Sequence, residues 1–281
     1  MNRNLIALDL DGTLLNHNQE VTIKTKKVLQ YLIAQGHEVM IATGRPPRSS
    51  IVYYNEIGMK TPMVNFNAAY ISHPLDKSFP ILHSPLDLKN VKEIIHSIEG
   101  FNMFNVITEV VDDVYIHAFD ETLMKKFLMG NPHTTIGDIR MNLHQNPTAM
   151  LIQADEKVYK DIRNHLTNYY ADVVDHRTWA APWNVIEIIQ KGISKGNGVA
   201  KVADYLNINR ENVIAFGDED NDLEMLEWAG TGVAMANGIK QVKEIANELT
   251  LTNNEEGVAA YLIDHFKIPV HVYKEAIYSM G

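Results

Sequence analysis

The chain has 281 residues, 46% of them apolar and none of them cysteine, and carries a formal charge of −10. Its length suits about two domains with a substantial core, and the lack of thiols excludes a disulfide scaffold, a thiolate metal site and a cysteine nucleophile. An acidic balance without a long basic run argues against nucleic acid or an anionic membrane as partners, since both are bound chiefly by clustered Lys and Arg.

In chain order, Leu5 to Leu8 is a continuous apolar run ending in Asp-Leu-Asp-Gly-Thr, the pattern of a strand buried on both faces of a parallel sheet. The stretch is too short for a signal peptide. No later stretch reaches the ~18 to 20 apolar residues that span a bilayer, so a cytoplasmic protein is expected. Val21 to Gln35 reads as a helix closed by Gly36, Val39 to Ala42 as a strand ending in Thr43-Gly44-Arg45, Arg48 to Ile57 as a helix and Met63 to Phe66 as a third strand. The pattern returns late: helix Lys195 to Leu206 with Ser194 as N-cap, strand Val213 to Phe216, helix Leu223 to Ala229, strand Gly232 to Met235 and helix Ile239 to Ala246. Alternating strands and helices imply an α/β fold, a doubly wound parallel sheet whose strand C-termini share the ligand-binding edge. The middle differs, with helices expected over Leu88 to Ile98, Glu121 to Met129 and Lys157 to Tyr169, and alternating segments over Val110 to His117 and Met150 to Gln153. The division this implies is a core of residues 1–83 and 190–281 with an α+β insertion at 84–189.

Four segments carry chemistry. Asp9 and Asp11 lie two apart at the end of the first strand, so both lean to one side if the extended conformation persists to Asp11. Gly12 allows the turn that follows. Thr43-Gly44-Arg45 offers a hydroxyl and amides at a strand-to-helix turn, which suits a phosphate or only a loop. Lys195 opens a helix, where the dipole disfavours a cation, so a functional lysine competes there with a solvated one. Gly217 to Asp222 places five oxygen-bearing side chains at a strand end, which repel one another unless a cation is present. Oxygen donors suit Mg²⁺, and an EF-hand calcium loop fails on the spacing of its glycine and distal glutamate.

In these residues, in this order, the chain resembles the haloacid dehalogenase superfamily of aspartate-dependent phosphatases, and the insertion is similar to the C2 cap of the Cof-type, or IIB, members. The resemblance implies that Asp9 is the nucleophile and Asp11 the acid/base. It implies phosphate bound by Leu10 and Gly44 amides, Thr43 and Lys195, and Mg²⁺ held by Asp9, the Asp11 carbonyl and Asp218 with support from Asn221 and Asp222. A phosphomutase of the superfamily usually carries a small helical cap just after the first segment, and the roughly eight residues Leu14 to Val21 leave no room for one. A non-catalytic binder would be expected to lack one of Asp9, Asp11 and Asp218.

The cap should read the leaving group of a small phosphorylated metabolite. Arg45, Asn67, Arg177, Trp179 and Trp183 are the candidate substrate contacts, the tryptophans either stacking on a planar ring or packing the cap core. Many Cof-type members have Asn-Gly-Ala where this chain has Asn67-Ala68-Ala69, which puts in doubt any contact needing glycine at 68. The segments around Arg45 and Arg177 are similar to those of phosphatases acting on 5-amino-6-(5-phospho-D-ribitylamino)uracil, and a broad sugar-phosphate phosphatase is the alternative. The sequence favours neither a monomer nor a homodimer.

Overall fold

The computed structural model describes residues 3–121, 129–179 and 185–273. Five parallel strands form the central sheet in the order β14-β13-β12-β1-β2. They are β1 (Leu5–Leu8), β2 (Glu38–Ile41), β12 (Val213–Gly217), β13 (Thr231–Ala234) and β14 (Glu248–Leu249). Side chains alternate across a strand, so Ile6 and Leu8 enter one apolar layer while Leu5 and Ala7 enter the other. The first layer is closed by α1 (Ile23–Ala34), α2 (Pro47–Ile57) and α9 (Gly257–Phe266). The second is closed by α6 (Lys195–Tyr205), α7 (Leu223–Trp228) and α8 (Lys240–Ile245). The expected doubly wound sheet is therefore present. Local signals set several helix ends. Thr22 and Ser194 cap α1 and α6 through their side chains, and Gly58 closes α2 at φ 80°.

β3 (Met63–Asn65) leaves the edge of β2 through a parallel bridge from Ala42 to Val64. It then pairs antiparallel with β4 (Tyr70–Ser72), which pairs with β5 (Leu82–His83). Between β3 and β4, Phe66, Asn67 and Ala68 all take positive φ, 50°, 54° and 83°. Ala68 thus holds a left-handed conformation that glycine adopts freely and alanine at a cost of about 1–2 kcal/mol. Its methyl group is accommodated by Gly198 on α6, where an added Cβ would fall 2.6 Å from the Ala68 Cβ and 2.7 Å from Val64 Cγ1.

The inserted cap is a six-stranded sheet ordered β10-β11-β9-β6-β7-β8. Its strands are β6 (Met103–Val110), β7 (Asp113–Ile116), β8 (Thr134–Ile136), β9 (Ala149–Ala154), β10 (Val174–Trp179) and β11 (Val185–Gln190). Helices α3 (Leu88–Ser97) and α5 (Glu156–Tyr170) bury Val91, Ile94, Ile162 and Leu166 against one face, and a four-residue α4 (Ile139–Asn142) lies beside β6 and β7. The chain ends its described part with α10 (Val270–Tyr273).

Val110 to His117, read as one alternating segment, is a strand end, a tight turn and a second strand, because Val111 turns the chain at φ 52°. Arg177 lies in strand β10, and the residues between Trp179 and Val185 lie outside the described residues. Most of the helix expected over Glu121 to Met129 lies outside the described residues. Among the described residues no helix is long and apolar enough to cross a membrane.

Gly198→Ala should lower stability by about 1–3 kcal/mol through overpacking, read as a lower urea midpoint at unchanged m. Adding Ala68→Gly should return part of that loss, and an unchanged midpoint in the single variant would contradict the packing described.

Candidate active site

The parallel strands bring four chain segments to one sheet edge. Asp9 follows β1, Thr43 follows β2, Asp218 follows β12 and Asn237 lies shortly after β13. Lys195, in the first turn of α6, reaches the same point. It is fully buried, and its Nζ donates to Asp9 Oδ1 and Asp222 Oδ1, both at 2.7 Å. Asp9, Asp218 and Asp222 are buried, and each offers an oxygen within 4.8 Å of the others'.

Each carboxylate is held by a different device. Asp222 Oδ2 accepts the backbone N–H groups of Asp218 (2.9 Å) and Glu219 (3.1 Å), which folds the acidic loop back on itself. Asp218 Oδ1 accepts from Thr13 Oγ1 at 2.8 Å. Asn237 Nδ2 donates to the Gly12 carbonyl at 2.8 Å and lies 3.4 Å from Asp218 Oδ2, while its own oxygen accepts the Asn253 N–H. Gly12 turns the chain at φ 75° directly against Asp218, where a Cβ would fall 2.1 Å from Oδ2.

The electrostatics follow from three carboxylates sharing one ammonium. Burial pushes Asp9 upward, Lys195 opposes it, and Asp222 and Asp11 add to the rise. Burial also raises Asp218, with Asp9 and Asp222 contributing. Burial disfavours the charge on Lys195, but Asp222 and Asp9 outweigh it and hold the ammonium firmly protonated. A site of buried oxygen donors with surplus negative charge fits a hard divalent cation, and Asp9 and Asp218 are the ligands best placed, since Asp222 is occupied by Lys195 and two amides.

The remaining candidates are placed as follows. Asp11 does not line up with Asp9: β1 ends at Leu8, and the turn sends the Asp11 side chain, 56% exposed, to Arg45. Arg45 Nε and Nη2 both donate to that carboxylate at 2.6 Å, and Nη2 also meets Gln19. Burial works against the charge on Arg45, and the bonds to Asp11 more than restore it. Thr43 is buried, its Oγ1 accepting the Arg45 N–H at 3.1 Å and its carbonyl the Asn67 N–H at 3.0 Å. The Leu10 side chain lies in the core, so only its backbone can serve a ligand. Gly44 faces the Asn67 amide, its ideal Cβ position 3.4 Å from that group.

Two expected substrate contacts turn out to join core and cap. Asn67 Nδ2 donates to the buried Glu187 of β11 at 3.0 Å and its Oδ1 accepts from Asn221 at 3.0 Å. Arg177 of β10 donates to the Asp220 carbonyl at 2.9 Å and to Glu224 at 2.7 Å. A third junction, which sequence reasoning missed, pairs Arg48 of α2 with the buried Glu109 of β6. Burial raises the Glu109 carboxyl, and Arg48 opposes that. Trp179 ends β10, and Trp183 lies outside the described residues. Thr13 and Asn237 were also missed, although the strand-end rule that found Asp218 points to Asn237.

Residues 6–262 match the haloacid dehalogenase-like hydrolase family, and the chain belongs to it. It is a hydrolase. It is similar to 5-amino-6-(5-phospho-D-ribitylamino)uracil phosphatase YitU of Bacillus subtilis, at 50% identity over 264 residues, 94% of this chain and 98% of the relative. Among solved structures, a haloacid dehalogenase-like hydrolase from Bacteroides thetaiotaomicron superposes with a TM-score of 0.81 at 25% identity, covering 94% of this chain and all of the other (100%). The subclass IIB sugar phosphatase BT4131 shares the fold at a TM-score of 0.80 and 21% identity, over 95% of this chain and 100% of its own.

Gly12→Ala should displace Asp218 and cut cation-dependent turnover by about tenfold or more, since each ~1.4 kcal/mol of misplacement is a factor of ten. Steady-state kinetics against cation concentration reads the effect, and wild-type kinetics would contradict the role given to this glycine.

Proposed function

We propose that this protein is a Mg²⁺-dependent phosphatase that hydrolyses 5-amino-6-(5-phospho-D-ribitylamino)uracil through a phosphorylated Asp9. The observation that carries the reaction is Asp9, buried at a strand end against Lys195 and beside Asp218. The likeness to YitU supports the substrate, and the cap, at about residues 84–189, is the part that reads it.

A phosphate monoester is a dianion, and it must approach a group of carboxylates that carries surplus negative charge. Asp9 and Asp218 would hold Mg²⁺, which would supply positive charge against this repulsion. Among the described residues Lys195 is the ammonium fixed beside Asp9, so it holds Asp9 in place and meets the incoming phosphoryl oxygens. Thr43 and the amides of Leu10 and Gly44 form the rest of that cradle. An Asp9 oxygen attacks phosphorus in line, the bond to the leaving alkoxide breaks, and Asp11 gives that oxygen a proton. Water then attacks phosphorus, passes its proton to Asp11, and the Asp9 carboxylate departs.

Asp11 is tied to Arg45 in this structure. It serves as the acid only after exchanging that partner, and the arriving phosphate is an anion able to compete for the arginine.

Phosphate release from the aminouracil substrate should require Mg²⁺ and fall on the order of 10³-fold or more in Asp9→Asn. Asp11→Asn should still accumulate phosphoenzyme from an activated aryl phosphate while turning over slowly. Full activity in Asp9→Asn, or a sugar phosphate preferred in kcat/KM over the aminouracil compound, would overturn the corresponding half of this reading.

A further inference from the structure

Arg177 and Glu187 are direct partners across the β10–β11 pair of the cap sheet. Arg177 reaches the acidic loop of the core directly, and Glu187 reaches it through Asn67. Arg177 Nη1 donates to the Asp220 carbonyl at 2.9 Å and Nη2 to Glu224 Oε1 at 2.7 Å, just beyond the loop. Glu187 accepts from Asn67, whose oxygen accepts from Asn221 at 3.0 Å. One cross-strand pair in the cap therefore holds the two consecutive residues Asp220 and Asn221, which lie between Asp218 and Asp222. The Arg48–Glu109 junction closes the cap elsewhere and makes no contact of this kind.

We propose that Arg177 is a positioning residue that couples closure of the cap to cation binding in the core. The contacts of Arg177 with the loop, and that of Glu187 with Asn67, exist only when cap and core are together. They fix the backbone that carries Asp218, so the closed arrangement offers a better-ordered pair of oxygen ligands than the open one. A ligand that binds one arrangement better must shift the population toward it, and the coupling is reciprocal. Cation binding thus draws the cap shut before any substrate is present, and closure tightens the hold on the cation.

The sign of the effect separates this coupling from simple electrostatics. Arg177 is a positive charge beside an acidic loop, so its removal should by charge alone tighten cation binding. Loss of the coupling weakens it.

The proposal rests on the reading of Asp9 and Asp218 as cation ligands, and the experiment tests the two separately. Mg²⁺ alone is titrated calorimetrically into the full-length protein, into Arg177→Ala and into Arg177→Lys, with no phosphate present. The chain contains no cysteine, so labels placed at Lys89→Cys on α3 and Lys240→Cys on α8 report the distance between cap and core. Both side chains are exposed. The expected result is a Mg²⁺ affinity at least fivefold weaker in Arg177→Ala. Arg177→Lys keeps the charge and one contact, and should fall between them. Mg²⁺ should narrow the label distance in the otherwise wild-type protein and leave it unchanged with Arg177→Ala. Equal or tighter binding in Arg177→Ala, or an undiminished change in label distance, would overturn the coupling while leaving the cation site intact. No Mg²⁺ binding in the wild type would overturn both.

Discussion

The ammonium of Lys195, fully buried between Asp9 and Asp222, is the interaction on which the rest of the site depends. It joins the first turn of α6 to the ends of β1 and β12, the three elements that bring Asp9, the lysine and the acidic loop together. One ammonium cannot neutralise three buried carboxylates. Burial drives Asp9 and Asp218 upward with the neighbouring carboxylates adding to the rise, and that surplus charge makes the site receptive to a cation. Removing Lys195 alone would leave that charge uncompensated, and buried ion pairs broken on one side are costly.

Around this centre the chain uses small residues and short polar side chains to fix position. Gly12 lets the backbone pass against Asp218, while Thr13 and Asn237 orient its carboxylate from two sides. The cap adds a second level of control. Its buried glutamates meet core partners, Glu109 with Arg48 and Glu187 with Asn67, so closing the cap places charged groups where they are already paired. Asp11, paired with Arg45, is the more exposed carboxylate of the site.

Much of the core was legible in the sequence because its information is local. Apolar runs such as Leu5 to Leu8 and Val213 to Phe216 end abruptly in Asp or Gly-Asp, and both boundaries lie within a residue of those observed. The cap strands were harder to read. Glu187 interrupts the apolar pattern of β11 and Arg177 stands in the largely polar β10, and only the folded chain supplies their partners Asp220, Glu224 and Asn67. The same long-range pairing gives Arg177 partners that the sequence around it does not show. The condition set for Asp11 is not met for a different reason: the chain turns after β1, so the two-residue alternation of a strand no longer applies. Ala68 breaks a family pattern yet keeps its backbone geometry, because Gly198, 130 residues later, leaves room for the methyl group.

The proposed sequence at phosphorus is attack first by Asp9 and only then by water. Its most direct test is the stereochemical course at phosphorus, using a thiophosphate ester made chiral with oxygen isotopes and hydrolysed in isotopically labelled water. Two successive in-line displacements predict retention of configuration in the released thiophosphate. Inversion would mean that water attacks the ester directly, with Asp9 reduced to holding the site together.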